Sequence, residues 1–68
     1  MTIHLNGEPF ALTGPGPVTV SSLLDLLELD ARRVAVERNR IVVRRETYGS
    51  TGVTDRDEIE IVNLVGGG

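Results

Sequence analysis

A single stretch of helical periodicity, set in a chain otherwise patterned as strands, limits the possible fold most strongly. Apolar residues recur there at three- and four-residue steps and form one stripe: Val20, Leu23, Leu24 and Leu27. Thr19 precedes the stripe as a good N-cap, and Val18 and Leu23 stand at the two positions of a hydrophobic staple. The pattern predicts one helix that begins after Thr19 and ends near Leu29.

The rest of the chain is typical of five short strands, predicted over residues 1–5, 8–12, 34–38, 41–44 and 58–62. Asn6 and Gly7 suit a two-residue hairpin turn because both accept positive φ, whereas Arg40 suits the Asn39-Arg40 turn less well because it carries a Cβ. Pro9 cannot donate a ladder hydrogen bond, which predicts that the second strand lies at a sheet edge. Strands around one helix indicate an α+β domain with the helix on one face of a mixed sheet.

The composition limits what the chain can do by itself. Its 68 residues allow one domain with little room for an enclosed active site. It has no cysteine, which excludes disulfides, thiolate metal sites and thiol catalysis. The single histidine, His4, alternates with Ile3 and Leu5, so we expect a solvated strand residue and not a Ser-His-Asp triad or a metal site.

The sequence predicts neither a signal peptide at its start nor a membrane span. The first residues lack the basic and apolar regions of a signal peptide, and the longest aliphatic runs are three residues. A membrane-spanning helix needs about 20 apolar residues. These features predict a cytoplasmic protein that does not enter a membrane.

Charge is distributed unevenly along the chain. The net charge of −3 argues against a nucleic-acid partner. Six of the seven arginines lie within residues 32–45, and four acids cluster near the end: Asp55, Asp57, Glu58 and Glu60. Each cluster is either a solvated face or a docking surface, and the acidic cluster beside the C-terminus is the sharper docking candidate. The chain has no lysine, so it offers no side-chain amine for conjugation.

Three glycines, Gly66, Gly67 and Gly68, follow three residues after the last predicted strand. Glycine has no Cβ, so such an end can thread a narrow channel in another protein and leave its final carbonyl unhindered. Joined to AMP, the carboxylate of Gly68 would become a mixed anhydride that a persulfide sulfur can displace, leaving a thiocarboxylate. A partner enzyme would supply ATP, magnesium and the positioning of the phosphates. A disordered terminus or a linker is the alternative explanation of these glycines.

Four blocks of sequence keep a distinctive order and spacing. They are Ile3-His4-Leu5-Asn6-Gly7-Glu8, Thr19-Val20 with Leu23-Leu24, Val34-Ala35-Val36-Glu37-Arg38-Asn39, and Asp57-Glu58-Ile59-Glu60-Ile61-Val62 running into Val65-Gly66-Gly67-Gly68. Together they resemble the ubiquitin-like β-grasp sulfur carriers, most closely the thiamine-biosynthesis sulfur carrier family, ThiS. The resemblance implies a sheet ordered 2-1-5-3-4 with its first and last strands parallel in the middle. It also implies a β-grasp domain over residues 1–65 and a flexible tail over residues 66–68.

The resemblance further implies a protein co-substrate and not an enzyme. A ThiF-type adenylating enzyme, related to ubiquitin-activating enzymes, would adenylate Gly68, and a cysteine desulfurase would supply sulfur as persulfide. The thiocarboxylate would then donate its sulfur to thiazole synthase, which builds the thiazole of thiamine. No permanently bound cofactor or metal is expected, and the free carrier is expected to be a monomer.

The implied site residues lie in the tail and in the strand before it. Gly68 is the adenylated and sulfur-carrying residue, and Gly66 and Gly67 are needed for threading into the partner. Leu64 and Val65 are either anchors in a partner groove or simply the end of the last strand. Two acids of the last strand complete the docking candidates: Glu58 and Glu60.

Three other functions remain open from the sequence. The small subunit of molybdopterin synthase, MoaD, shares the fold and the Gly-Gly end but tends to be longer. A ubiquitin-like modifier would be conjugated through Gly68 to lysines of its targets. A plain interaction domain with an inert tail is the third alternative.

Overall fold

The computed structural model describes residues 1–64, which form seven strands, one α-helix and two short 3₁₀ helices. The strands are β1 (Thr2–Leu5), β2 (Glu8–Ala11), β3 (Val18–Thr19), β4 (Val34–Arg38), β5 (Ile41–Val43), β6 (Gly52–Val53) and β7 (Glu58–Asn63). The helix α1 is Val20–Leu26, and the 3₁₀ helices are Ala31–Arg33 and Arg45–Thr47. No helix in this part of the chain is long and apolar enough to cross a membrane.

Five of the strands form a mixed sheet in the order β2-β1-β7-β4-β5. Neighbours are antiparallel except β1 and β7, which run parallel at the centre with His4 opposite Glu58. If only the five strands of this sheet are numbered along the chain, β4, β5 and β7 become the third, fourth and fifth, and the order is 2-1-5-3-4. The predicted strand order, the central parallel pair and the edge position of the strand with Pro9 are therefore confirmed.

A second, two-stranded sheet was missed by the sequence analysis. Strands β3 and β6 pair antiparallel with Val18 opposite Val53. Strands of two residues are too short to show an alternating pattern. The segment 45–54, to which the sequence pattern assigns neither helix nor strand, supplies a 3₁₀ helix and β6. It joins α1 through a hydrogen bond from the Val20 N–H to the Thr51 carbonyl (3.0 Å).

Helix α1 begins where the sequence predicts. The Thr19 side chain accepts a hydrogen bond from the Ser22 N–H (3.1 Å), and the Ser22 hydroxyl accepts one from the Thr19 N–H (2.9 Å). This reciprocal pair is a capping box, which satisfies two backbone donors at the helix start. The expected N-cap is confirmed, with Ser22 in the place that glutamate usually holds.

The helix ends earlier than the expected Leu29. Glu28 adopts a φ of 58°, in the left-handed region, and so stops the α-helical path. Its N–H donates to the Asp25 carbonyl (3.0 Å), and the Leu29 N–H donates to the Leu24 carbonyl (2.9 Å). These two bonds form a Schellman motif, which satisfies the last carbonyls. Such an end usually carries glycine, so a glutamate there gave no sequence signal.

The core lies between α1 and the inner face of the five-stranded sheet. Its buried members are Ile3, Leu12, Val20, Leu23, Leu24, Val34, Val36, Tyr48, Val53 and Ile59. The predicted helix stripe contributes its three residues within α1, and Leu27 packs partly buried against the same cluster. Tyr48 and Val53 come from the segment that the sequence analysis left unassigned.

Both predicted two-residue hairpins are present. The φ angles are 51° and 82° at Asn6 and Gly7, and 52° and 70° at Asn39 and Arg40. Positive φ at both central positions is the type I′ turn, whose twist matches that of the flanking strands. Arg40 therefore occupies a conformation that disfavours side chains, as the sequence indicated.

Candidate functional site

The central strand β7 carries the backbone toward the C-terminus. It pairs with β4 as far as Asn63, which lies opposite Val34. One residue further, the Leu64 N–H donates to the carbonyl of Arg33 (2.8 Å). The backbone is therefore fixed by hydrogen bonds up to the last residue that the structure describes. The other predicted tail residues lie outside the described part: Val65, Gly66, Gly67 and Gly68.

The side chain of Asn6 holds β7 on its other side. Strand β1 pairs with β7 only through His4 and Leu5, and the Asn6 N–H then donates to the Ile59 carbonyl (2.9 Å). Beyond that point, the Asn6 amide group donates to the Ile61 carbonyl (3.2 Å) and accepts from the Ile61 N–H (2.8 Å). The side-chain amide thus supplies the donor and the acceptor that the backbone of a further β1 residue would offer to β7. From the sequence Asn6 was predicted only as a turn residue, and this role was missed.

One face of β7 is turned away from the core and is exposed next to the tail. It carries Glu58, Glu60 and Val62, and Leu64 follows at the same spacing. We call these four residues the outer face of β7. Val62 is 60% exposed and Leu64 is 50% exposed. Three of the four were predicted as docking candidates, whereas Val62 was missed, although the alternation of residues 58–62 already assigns it to this face.

The electrostatics of this face is acidic. Glu37 of β4 lies directly opposite Glu60, and like charges in that arrangement destabilise a sheet. Within residues 1–64, no arginine nitrogen lies within 4 Å of the carboxylate of Glu37 or of Glu60. In contrast, Glu58 Oε1 lies 3.8 Å from Arg40 Nε. Apolar side chains near the tail and acids farther back would suit a partner surface with a cationic rim.

The acidic cluster predicted from the sequence divides into two parts. Glu58 and Glu60 are exposed, but Asp57 is buried, with 6% of its surface accessible. Its carboxylate accepts hydrogen bonds from Arg38 Nε (2.8 Å), Asn39 Nδ2 (3.1 Å) and the Thr54 N–H (2.8 Å). Asp57 therefore fixes the turn that leads into β7 and is not available to a partner.

The hydrogen bonds to Asp57 also determine its ionisation. Burial alone would raise the pKa of this carboxyl group. The hydrogen bonds from the Thr54 backbone, from Asn39 and from Arg38, with the charge of Arg38, outweigh burial and hold the pKa below its ordinary value. The group is therefore an anion at neutral pH, paired with a cation and fully hydrogen-bonded.

His4 lies on the exposed side of β1, as expected, opposite Glu58 on the neighbouring strand. Within residues 1–64, its ring makes no hydrogen bond to a serine hydroxyl, and no group of three or more His, Cys, Asp or Glu side chains is arranged to hold a metal ion. The described residues thus give His4 no triad.

The fold and the exit of the chain from the central strand together define a class of protein. A single helix on one face of a mixed five-stranded sheet, with β1 and β7 parallel at its centre, is the ubiquitin-like β-grasp architecture. The crystal structure of a thiamine biosynthesis protein (ThiS) from Geobacter metallireducens matches this fold with a TM-score of 0.87 and 36% identity, covering 100% of both chains.

Sequence comparison identifies the family within that class. The sequence model of the ThiS family matches residues 3–68, and the chain therefore belongs to the ThiS family. The sulfur carrier protein ThiS of Bacillus subtilis is 44% identical over 50 residues, which are 74% of this chain and 76% of that protein. The prediction of a sulfur carrier of thiamine biosynthesis that is not itself an enzyme is confirmed by this membership.

A further relative is much longer. A thiazole synthase from Magnetococcus marinus is 46% identical over 68 residues, which are 100% of this chain but 20% of that protein. The chain thus spans about a fifth of the length of this relative, which contains a segment like it.

Proposed function

We propose that the chain carries sulfur for the thiazole of thiamine as a thiocarboxylate on Gly68. A ThiF-type enzyme would join the Gly68 carboxylate to AMP from MgATP, releasing pyrophosphate. The outer persulfide sulfur from a cysteine desulfurase would then attack the acyl carbon, and AMP would leave. A second thiol would cleave the resulting acyl disulfide, which leaves the thiocarboxylate on the carrier and a disulfide on the thiol side.

The observation that supports this proposal best is the fixed exit of β7. Pairing with β4, the amide of Asn6 and the bond from Leu64 to Arg33 hold the strand until four residues remain. Four extended residues span roughly 13 Å at about 3.3 Å each. We propose that residues 1–65 are the domain, with Val65 the first residue beyond these hydrogen bonds, and that residues 66–68 are the tail that threads into a partner.

The outer face of β7 is the proposed docking surface for the adenylating enzyme. Val62 and Leu64 would fill an apolar groove at the base of the tail, and Glu58 and Glu60 would meet cationic residues at its rim. A few side chains in desolvated pockets commonly dominate such interfaces, and charge complementarity steers the encounter of the two proteins. Val65 would continue this apolar contact into the partner.

Thiazole synthase is the proposed sulfur acceptor. The relative from Magnetococcus marinus supports it, because a segment similar to this whole chain lies within a protein named thiazole synthase. Joining a carrier to its acceptor raises the local concentration of the reactive terminus. The proposed carrier acts in the cytoplasm, as a monomer when free, and holds no permanent cofactor.

The absence of cysteine provides a direct test. The protein is incubated with MgATP, a ThiF-type enzyme and sulfide, then treated with a thiol alkylating reagent and analysed by intact mass and fragmentation. One alkyl group on Gly68 is the expected result, since the sequence contains no thiol that could compete. An unlabelled chain, with the enzyme shown to be active on an established carrier, would contradict the proposal.

Three other experiments separate the remaining alternatives. A ubiquitin-like modifier would form adducts with other proteins that survive thiol treatment. An inert tail would leave the cellular role intact after removal of Gly67 and Gly68. Preferential capture by the large subunit of molybdopterin synthase would mean that this subunit, and not thiazole synthase, accepts the sulfur.

A further inference from the structure

The edge strand β5 and the arginines beside it are not used by the proposed carrier chemistry. β5 is the outermost strand on the side of the sheet opposite β2, and Ile41 and Val42 are 71% and 67% exposed. Two members of the arginine cluster, Arg40 and Arg44, flank the strand. We propose that β5 is a docking edge for an extended acidic segment of another protein, which adds to the sheet as a sixth strand.

The backbone of β5 is oriented to accept such a strand. Ile41 lies opposite Arg38 across a two-residue turn, so this pair exchanges hydrogen bonds and the next pair, Val42 and Glu37, does not. The N–H and C=O of Val42 therefore point away from β4, toward the open edge. Arg44 remains extended, but its carbonyl already accepts hydrogen bonds from the following 3₁₀ helix, so the added ladder would end there.

The opposite edge of the sheet lacks this property. Pro9 of β2 lies opposite His4, at the corresponding non-hydrogen-bonded position, so the outward donor is missing there. Proline at this place protects an edge from pairing with other chains. β5 contains no proline, and the residues directly before and after it are the arginines Arg40 and Arg44.

A groove beside β5 offers places for the side chains of the added strand. It has a volume of about 310 Å³ and is lined by Arg38, Thr47, Thr51 and residues 41–44. Alternate side chains of a strand point to one face of the sheet. Aliphatic residues of the partner segment would therefore enter this groove at every second position, as in other cases of strand addition.

Charge selects the occupant of this edge. Arg40 lies 3.8 Å from Glu58 and Arg44 lies 3.7 Å from Glu46, and all four side chains are more than half exposed. Such surface pairs are weak, so both guanidinium groups can exchange these contacts for carboxylates of a partner. Two copies paired about Val42 would place Arg40 of each chain opposite Arg44 of the other, which like-charge repulsion disfavours.

Titration of the uniformly ¹⁵N-labelled full chain with a capped peptide Asp-Glu-Val-Ile-Val-Glu-Asp tests the proposal. At millimolar peptide we expect a downfield shift of the Val42 amide proton. Chemical-shift changes should be confined to residues of β5 and its groove. Affinity should fall by about tenfold or more between roughly 0.02 M and 0.5 M salt, because exposed charges are screened. An unchanged Val42 amide would overturn the proposal, as would equal binding of the peptide with lysine in place of its acids.

A matched pair of arginines provides the control. Arg40 and Arg56 are 88% and 89% exposed, each lies 3.8 Å from a carboxylate, and their φ angles are 70° and 71°. We expect Arg40→Glu to weaken peptide binding by about fivefold and Arg56→Glu by less than about twofold. Equal losses in both variants would mean a general effect of charge and would contradict a site at β5.

Two further outcomes would also reject an acidic partner segment. Val42→Pro removes the outward N–H, and in a folded variant, identified by retained dispersion of the amide spectrum, peptide binding should be lost. Retained binding would exclude strand addition. Shifts at β5 that depend on protein concentration without peptide would identify a second copy of this chain as the occupant.

Discussion

Replacing Asp57 by asparagine tests whether the buried carboxylate holds the start of β7 in place. The substitution keeps the size of the side chain but removes the charge that Arg38 Nε approaches to 2.8 Å. One of the two positions that accept hydrogen bonds becomes a donor. If the new NH₂ group takes the place of Oδ2, it faces the donors of Arg38 and Thr54. If it takes the place of Oδ1, it faces the donor of Asn39.

The expected loss of stability follows from the burial of this group. Removing one partner of a buried charged hydrogen bond costs about 1–3 kcal/mol, and breaking a fully buried pair costs about 3–5 kcal/mol. Arg38 is 34% exposed and keeps part of its hydration, so we expect a loss of about 2–3 kcal/mol. A chain of 68 residues has a free energy of unfolding of only about 3–10 kcal/mol, so the effect is large.

Urea unfolding followed by far-ultraviolet circular dichroism measures this loss. The control is Asp55→Asn, because Asp55 is 58% exposed and accepts one hydrogen bond from the Thr2 N–H (2.8 Å). We expect the control to lose less than about 1 kcal/mol. Equal losses in the two variants, or a loss below about 1 kcal/mol for Asp57→Asn, would refute the argument from burial.

The pH dependence gives an independent check of the sign. The pKa of Asp57 is lower in the folded chain than in the unfolded chain. Its contribution to stability is therefore complete above the unfolded pKa of about 3.9 and is lost as pH falls through the folded value. Asp57→Asn should lose this part of the acid dependence, so the stability difference from wild type should shrink below about pH 4. A difference that stays constant from neutral pH to about pH 2 would contradict the assigned pKa shift.

Three further changes test the tail and its base. Deleting Gly68 retracts the terminal carboxylate by about 3.3 Å, and single-turnover thiocarboxylate formation should fall by about 100-fold or more; wild-type rates would refute the importance of register. Val62→Arg should weaken binding to the adenylating enzyme by about tenfold, measured by calorimetry, whereas Ala11→Arg on a distant strand of the same face should not. Asn6→Ala removes both hydrogen bonds to Ile61 and should destabilise the fold by about 1–2 kcal/mol with faster amide exchange at Ile61; unchanged exchange would exclude the proposed role of the amide.

The parts of the fold that were predicted correctly depend on local signals. Acidic and apolar residues alternate over residues 58–61, Thr19 is a typical N-cap, and Pro9 is not tolerated inside a sheet. Each signal is decided by residues within one turn or one strand. The central parallel pair is different, because only the family resemblance indicated which distant strands are neighbours.

The parts that were missed depend on contacts between distant segments. Strands β3 and β6 are two residues long and form only because the chain brings residues 18–19 beside residues 52–53. Asn6 acts on β7 across 55 positions of sequence through its side chain, which no local pattern can indicate. The end of α1 at Glu28 is set by a left-handed residue that carries a side chain, contrary to the usual preference for glycine.

The contacts around β7 fix the point from which the C-terminal residues begin. Asp57 fixes the turn before the strand, Asn6 replaces the missing backbone of β1, and the Leu64 N–H binds the Arg33 carbonyl after the strand ends. Three separate segments therefore fix β7 within residues 1–64, up to the hydrogen bond from Leu64 to Arg33. Because that bond sets the origin of the remaining four residues, a change that loosens it alters the reach of Gly68 even when the glycines are intact. Defects in sulfur transfer should accordingly arise from residues distant from the tail, with Asn6 as the clearest case.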